Sequence, residues 1–518
     1  MPRATQFYQK TVITKILMLF PENSSPVPRR EVLKAGINCL LAGAISGPAV
    51  LAGQSIAPAK PADSCVTVFA DPLGPRIDPR FFGVGLMYWT EDDARLADGH
   101  IAAELKEMKC RLLRFPGGTE SDDYLWNTHR LADKRRWPWK DGPGTMDTDE
   151  FIALCRKVGA DPLICVNTEI AAFESLEAGA KLAADWVRYC NIEKKYGVVF
   201  WEIGNEPYYH TRFTPAEYGR LFLAYAKAMK AVDPTIKLAA VGEWNVRFEG
   251  MKERIPEPLR EEAMRLEYAN EIGANPRVDL DPMQTRKDGA RWWPTVLETA
   301  GREIDLASFH FYFAPDYELP KMAESIAKIQ ELCREKVPGK TIPLICTEWS
   351  MGDWVQTFGL QRALAVAEAA AKMIQAGVMM STYWPLSCKG DHERKSLLDS
   401  WTRKRTANYQ VLSLMANTIG ANCLGSANGD TGVYSLATRS ADGRGITLYL
   451  INRTGRNHDA LQVAFQGLRP GSFGAKLLSA SDPKTNATTL VTIACTSNAE
   501  GCILKLPAWS MAVVRGSI

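Results

Sequence analysis

Short apolar runs recur along the first four-fifths of the chain, each ending on polar or glycine-rich residues and each followed by a stretch of helical period. The second half of Ile77–Thr90 is the first such run, and Leu112–Gly118, Asp161–Asn167 and Val198–Pro207 follow. Lys237–Trp244, Ile304–Tyr312, Ile342–Thr347 and Met379–Pro385 complete a set of eight, with helical patterns such as Ala216–Val232 and Leu360–Ala376 between them. Eight strand–helix alternations over about 300 residues predict an α/β fold, a parallel (β/α)8 TIM barrel, rather than an open sheet. The barrel is expected over residues 81–419. From Gly420 the period changes to short strands spaced by Gly, Asn and Asp turns, which predicts an all-β sandwich over residues 420–518. A further strand around Cys65, within residues 64–80, is expected to join that sandwich.

A barrel of this kind carries its reactive groups where strands end. Val198-Val-Phe-Trp-Glu-Ile-Gly-Asn-Glu-Pro207 reads as a buried strand whose alternation puts Glu202, Gly204 and Glu206 on one face. Its polar tip is Asn205-Glu206, stopped by Pro207. Ile342-Pro-Leu-Ile-Cys-Thr-Glu-Trp-Ser350 offers a second carboxylate, Glu348, at another strand end. The connection from Asn245 to Arg291 is too long for a plain loop and reads as a lid over the site or as a surface decoration.

The Gly-Asn-Glu-Pro tip followed far downstream by Thr-Glu-Trp resembles the signature of clan A retaining glycoside hydrolases. That resemblance implies double displacement, with Glu206 as acid/base and Glu348 as nucleophile. Leu113-Arg-Phe-Pro-Gly-Gly-Thr119 is similar to a second-strand motif of the arabinofuranosidase/xylosidase and heparanase/glucuronidase-type members. Arg114 there either supports the ionised nucleophile or pairs with the barrel-interior Glu202. By the same resemblance Asn205 binds the sugar 2-hydroxyl, Tyr312 orients Glu348 and Trp384 is a sugar platform. His310 shares the parity of Tyr312 and either lines the site or is a satisfied core histidine. Trp126, Tyr208 and Trp349 are further aromatic candidates, each with a packing alternative. The C-terminal Leu506-Pro-Ala-Trp-Ser-Met-Ala-Val-Val resembles the accessory domain of the same families. Two departures stand out: Thr119-Glu-Ser-Asp-Asp123 replaces the usual Asn after Gly-Gly, and the strand-one tip Tyr88-Trp-Thr-Glu-Asp does not clearly supply the expected substrate-binding acid. The leading expectation is an enzyme of arabinofuranosidase/xylosidase type acting on plant or cell-envelope glycans. The alternatives are a glycosidase for uronate-bearing glycans, with His210, Arg212, Lys389 and Arg394 as candidate cations, and a non-catalytic glycan-binding protein.

The resemblance implies a carbohydrate partner, and composition offers no rival to it. With 46% hydrophobic and 23% charged residues and a net charge of +3, nothing selects nucleic acid or an anionic membrane. Twelve cysteines without a Cys-x-x-Cys pair and six histidines without metal spacing argue against metal and redox cofactors, and none is expected. Cys495 and Cys502 flank a turn and either bridge a hairpin or remain thiols. Residues 1–63 form a leader and linker. Pro28-Arg-Arg-Glu-Val-Leu-Lys-Ala-Gly36 and the following apolar run resemble a twin-arginine export signal, with Ala57-Pro-Ala59 as cleavage site. Periplasmic or secreted location without a membrane anchor is the expectation. The oligomeric state is left open.

Overall fold

The computed structural model describes residues 65–132, 144–208, 213–244, 292–388, 393–468 and 471–517. The export-type leader, the 245–291 connection, His210, Arg212 and Lys389 lie outside the described residues.

Eight parallel strands close into a barrel: β2 (Gly83–Gly85), β3 (Leu112–Phe115), β6 (Asp161–Val166), β7 (Phe200–Ile203), β8 (Lys237–Gly242), β9 (Leu306–Phe313), β10 (Leu344–Met351) and β11 (Met380–Tyr383). β4 (Tyr124–Leu125) and β5 (Arg130–Leu131) form a small hairpin after β3. Inside the barrel, Leu112, Leu163, Phe200, Ala239, Leu306, Ile345 and Met380 make one apolar layer. One strand period further along, the inward positions turn polar with Arg114, Glu202, Ser308, Thr347 and Thr382, all buried. Alternation therefore builds the core at one end and a polar chamber at the C-terminal end.

The helices follow their caps. Thr148–Val158 starts on a capping box of Asp147 and Glu150 and stops at Gly159, whose φ is 79°. Pro215–Val232 starts on the Thr214–Glu217 box with Pro215 in its first turn. Gly359–Gln375 is apolar nearly all round because it is covered on two sides, by the barrel and by the second sheet. Its Glu368 takes a 2.6 Å bond from Arg453, and its Gln375 donates to the Ser435 carbonyl at 3.1 Å.

The second unit is one continuous ten-stranded sheet that folds over on itself. Its strands are β1 (Cys65–Arg76), β12 (Asn422–Ala427), β13 (Val433–Arg439), β14 (Gly445–Asn452), β15 (His458–Gln466), β16 (Phe473–Ala480), β17 (Thr488–Ile493), β18 (Cys495–Ser497), β19 (Gly501–Leu506) and β20 (Ser510–Ser517). The spatial order is β17-β16-β20-β14-β13-β12-β1-β15-β19-β18. β1 lies antiparallel to β12 and parallel to β15, so the chain's first described strand joins the two halves of the sheet. Val463, Phe465 and Leu504 from one half pack with Phe473, Leu477 and Val514 from the other, and Phe465 stacks on Phe473 at 4.9 Å.

Cys495 and Cys502 are free thiols, as are the other described cysteines. Cys495 stands opposite Leu504 and Cys502 opposite Ser497, so the two are diagonal neighbours whose thiols touch, and that contact lowers the Cys495 thiol and raises that of Cys502.

Candidate active site

Arg114 is the hub of the polar chamber. It rises from β3, is fully buried, and spends three nitrogens on three partners. Nε donates to Glu202 at 2.7 Å, Nη1 to Glu348 at 2.9 Å and Nη2 to the Asn205 amide oxygen at 2.7 Å. Arg114 thus pairs with the barrel-interior Glu202 and with Glu348 at the same time. Burial works against its charge, but Glu202 above all, and Glu348 with it, outweigh that and hold the guanidinium above its ordinary range. Glu202 is in turn satisfied by Ser308 at 3.0 Å and by Thr347.

Glu348 reaches this hub through a bulge. In β10, Cys346 pairs with Phe309 and Glu348 with His310, so Thr347 is an extra residue. Plain alternation from Ile345 would point Thr347 inward and Glu348 outward. The bulge turns both toward the chamber, Thr347 onto Glu202 and Glu348 onto Arg114. The Tyr312 hydroxyl donates to the other oxygen of Glu348. Burial first, then the Glu348 charge, raises the Tyr312 phenol well above its usual range, so it stays a donor. Trp349 faces away, with its indole N–H on Ser381 at 3.1 Å and its ring against Tyr383.

Glu206 arrives by a turn, where the sequence suggests a straight strand. β7 ends at Ile203, and Gly204 has φ 78°, which redirects Asn205 and Glu206 together. Asn205 points its oxygen at Arg114, which has only donors, so the assignment of the amide is unambiguous. Its Nδ2 is buried and finds no acceptor among the described residues. Glu206 Oε1 lies 3.0 Å from His310 Nδ1 and 3.3 Å from the Tyr208 hydroxyl. His310 Nδ1 is also 3.9 Å from Glu348 Oε2. The two legs, 3.0 and 3.9 Å, put an upper limit of 6.9 Å on the gap between those two carboxylate oxygens. Gly204→Ala is expected to cost about 1–3 kcal/mol, because φ is left-handed and the new Cβ would meet Thr168 at 2.9 Å. Thermal unfolding and turnover of the variant check this; unchanged values for both would show that the turn positions nothing.

Asp122 is the residue sequence reasoning passed over. Its Oδ1 accepts from the Asn205 backbone N–H at 2.9 Å and from Thr168 at 2.7 Å. The signal was the carboxylate-rich Thr119–Asp123 segment in place of an Asn: its acid holds the turn that carries Asn205. Trp384, His310, Tyr208 and Tyr312 are all brought to the chamber. The Trp384 ring lies against Gly85, Gly117 and Gly118, where any Cβ would collide, and packs with Met87 and Cys388 beside Tyr312 and Trp89. Trp126 is not brought there by its bonds: it donates to the Leu182 carbonyl at 3.0 Å and stacks on Trp186. Packing claimed it because the hairpin after β3 folds over the helix Leu176–Val187. Arg394 is likewise spent on loop atoms, the Gln356 amide at 3.1 Å and the Phe358 ring. Among the described residues no group of three His, Cys, Asp or Glu is placed to hold a metal ion, and no helix is long and apolar enough to cross a membrane.

Glu91, at the strand-one tip, is fully buried and takes bonds from the Met87 backbone N–H and the Ser387 hydroxyl, both at 2.7 Å. It ties the exit of β2 to the exit of β11 and has no exposed face for a sugar. Burial pushes its carboxyl up to about 7 from 4.5, against the bonds from Met87 and Ser387 and the charge of Arg95. Below about pH 4.5 both folded and unfolded chains hold the proton. Between 4.5 and 7 only the folded chain does, so stability falls as pH rises, by about 3 kcal/mol in all, and then levels. Relative to Glu91→Gln, the wild type should lose roughly that much between pH 4.5 and 8 in denaturant unfolding. Parallel curves for the two proteins would refute it.

A family model described as "Alpha-L-arabinofuranosidase 1 domain" matches residues 104–270, which include Arg114, Asp122, Asn205 and Glu206. Over this part of its length the chain is similar to alpha-L-arabinofuranosidases. Alpha-L-arabinofuranosidase C of Emericella nidulans is 24% identical over 292 residues, 50% of this chain and 51% of that protein. The Bacillus subtilis protein named intracellular exo-alpha-(1->5)-L-arabinofuranosidase 1 is 26% identical over 285 residues, 48% of each chain. The chain thus spans about half the length of the curated relatives it matches. The crystal structure of an alpha-L-arabinofuranosidase from Thermotoga maritima in its arabinose complex superposes with a TM-score of 0.64 at 18% identity, covering 88% of this chain and all of that one. That likeness establishes an arabinofuranosidase-type fold, barrel plus accessory sheet.

Proposed function

We propose that this arabinofuranosidase-type chain is a retaining glycoside hydrolase for neutral furanosides or xylosides of plant or cell-envelope glycans. The observation that carries the reading is the pair Glu206 and Glu348, at most 6.9 Å apart oxygen to oxygen, in unlike surroundings. That limit admits the retaining spacing of about 5–5.5 Å and excludes most of the inverting range of about 6.5–9.5 Å. Glu348, between Arg114 and Tyr312, is the nucleophile. It attacks the anomeric carbon while Glu206 passes its proton to the departing oxygen. Glu206 then takes a proton from water, which attacks the same carbon and returns Glu348 as a carboxylate. Arg114 stabilises that carboxylate as it leaves. His310 Nδ1, 3.0 Å from Glu206 Oε1, donates to that oxygen and leaves the acid proton on Oε2 for the departing oxygen. The orphan Nδ2 of Asn205 donates to the sugar 2-hydroxyl, a bond that strengthens in the transition state.

Among the described residues, a cation beside the site supports a neutral sugar over a uronate. Lys395 is buried, 4.4 Å above the Tyr312 ring, and is already paired with Asp353 at 3.0 Å. The test is a panel of aryl glycosides: α-L-arabinofuranoside, β-D-xyloside, β-D-glucuronide and β-D-glucoside. Cleavage of the first or second alone supports the reading. Cleavage of the glucuronide alone moves it to acidic glycans, and binding of glycans without cleavage moves it to a binding protein.

A further inference from the structure

Trp354 is an anomaly on the rim of the barrel. It follows β10, six residues after Glu348, and 61% of it is exposed. A tryptophan set out in water normally belongs to a floppy surface loop, but this loop is tied from beneath. Arg362, fully buried at the start of the helix Gly359–Gln375, donates to four carbonyls of the segment. Nη1 reaches Val355 at 3.4 Å and Thr357 at 3.3 Å, and Nη2 reaches Gly352 at 3.1 Å and also Met351. Gly352 donates back to the Phe313 carbonyl at 2.9 Å, fastening the loop to β9. The six-membered part of the Trp354 indole lies flat on Gly352, in space that any Cβ would occupy. One ring face is thus backed by the main chain while most of the ring stays open to solvent.

The neighbouring residue connects this ring to the chemistry. Asp353 pairs with Lys395 at 3.0 Å, Lys395 sits over the ring of Tyr312, and Tyr312 donates to Glu348. A rigid aromatic plane thus stands two contacts and one peptide link beyond Tyr312, the partner of Glu348. Burying an aromatic ring stabilises a protein; leaving it exposed while fixing its support does nothing for the fold. What it suits is the apolar C–H face of a sugar ring.

We propose that Trp354 is the platform of a second sugar-binding subsite, beside the catalytic carboxylates, that stacks a further ring of a neutral glycan chain. The preferred substrate is then an oligosaccharide or polymer and not a lone glycoside. This rests on the glycosidase reading above.

The test compares α-1,5-arabinotriose with α-L-arabinofuranosyl fluoride, which has no second ring to stack, for wild type, Trp354→Ala and Trp354→Phe. The ratio of kcat/KM on the trisaccharide to that on the fluoride should fall roughly ten-fold in Trp354→Ala, mostly through KM, and recover in Trp354→Phe. An unchanged ratio overturns the proposal, whether both activities fall together or neither does. If the wild type cleaves neither compound, the arabinofuranosidase reading fails by itself. Calorimetric titration with arabinotriose and xylotriose then decides: weaker binding to Trp354→Ala sustains the platform, and equal binding or none removes it.

Discussion

Glu348→Gln is expected to lower turnover by about 10⁴-fold or more on whichever glycoside the panel selects, with little loss of folded protein. Glutamine keeps the volume of the side chain and one acceptor for Arg114, but it cannot form the glycosyl ester. Its partner variant should behave differently. Glu206→Ala removes the proton donor, so a substrate with a poor leaving group should slow by about 10²–10⁴-fold while an activated aryl glycoside is spared in its first step. Azide, small and already anionic, needs no general base and should restore turnover to Glu206→Ala but not to Glu348→Gln. Steady-state kinetics with and without azide, and detection of the glycosyl azide, read this directly. Undiminished activity in Glu348→Gln would end the assignment of nucleophile. Azide rescue of Glu348→Gln and not of Glu206→Ala would exchange the two roles.

Arg114→Met is expected to be the most damaging change to the fold within the chamber, at about 3–5 kcal/mol, because it leaves two carboxylates without their shared cation. Glu202 is fully buried and Glu348 nearly so, and neither has another cation bonded to it among the described residues. Lysine is no substitute. A single ammonium on a flexible stem cannot meet Glu202, Glu348 and Asn205 in three directions, as the planar guanidinium does at 2.7, 2.9 and 2.7 Å. Arg114→Lys should therefore fold better than Arg114→Met and still lose most activity. Denaturant unfolding and turnover of the two variants separate the structural from the catalytic share. Arg114→Lys with wild-type turnover would show that only the charge matters.

The composition of the strands made the barrel legible before any coordinates. Apolar runs such as Ile342–Thr347 and helical stretches such as Leu360–Ala376 bury their faces in one way only, and eight alternations leave little choice of architecture. The strand-end position of Glu206 and Glu348 was equally plain, since polar tips stopping apolar strands are local features. Boundaries were less so. β2 is only three residues, Gly83–Gly85, because the second half of Ile77–Thr90 leaves the strand and turns back on itself, the Thr90 and Glu91 N–H groups both donating to the Met87 carbonyl.

What the sequence by itself determined is which residue types stand near the mouth of a barrel; how they face one another was decided by the tertiary structure. Period-two alternation cannot foresee the extra residue at Thr347, which turns Glu348 inward, because a bulge is a property of the pairing with β9 and not of β10 alone. Nor can it foresee that Arg114 serves Glu202 and Glu348 together, since those contacts span 88 and 234 residues of chain. Asp122 and Arg362 were silent because each acts on main-chain atoms, Asp122 across 83 residues of chain and Arg362 on the loop just before it, and a hydrogen bond to backbone leaves no mark in the identity of the residue that receives it. Side-chain chemistry is written locally, and geometry is settled only when the strands close.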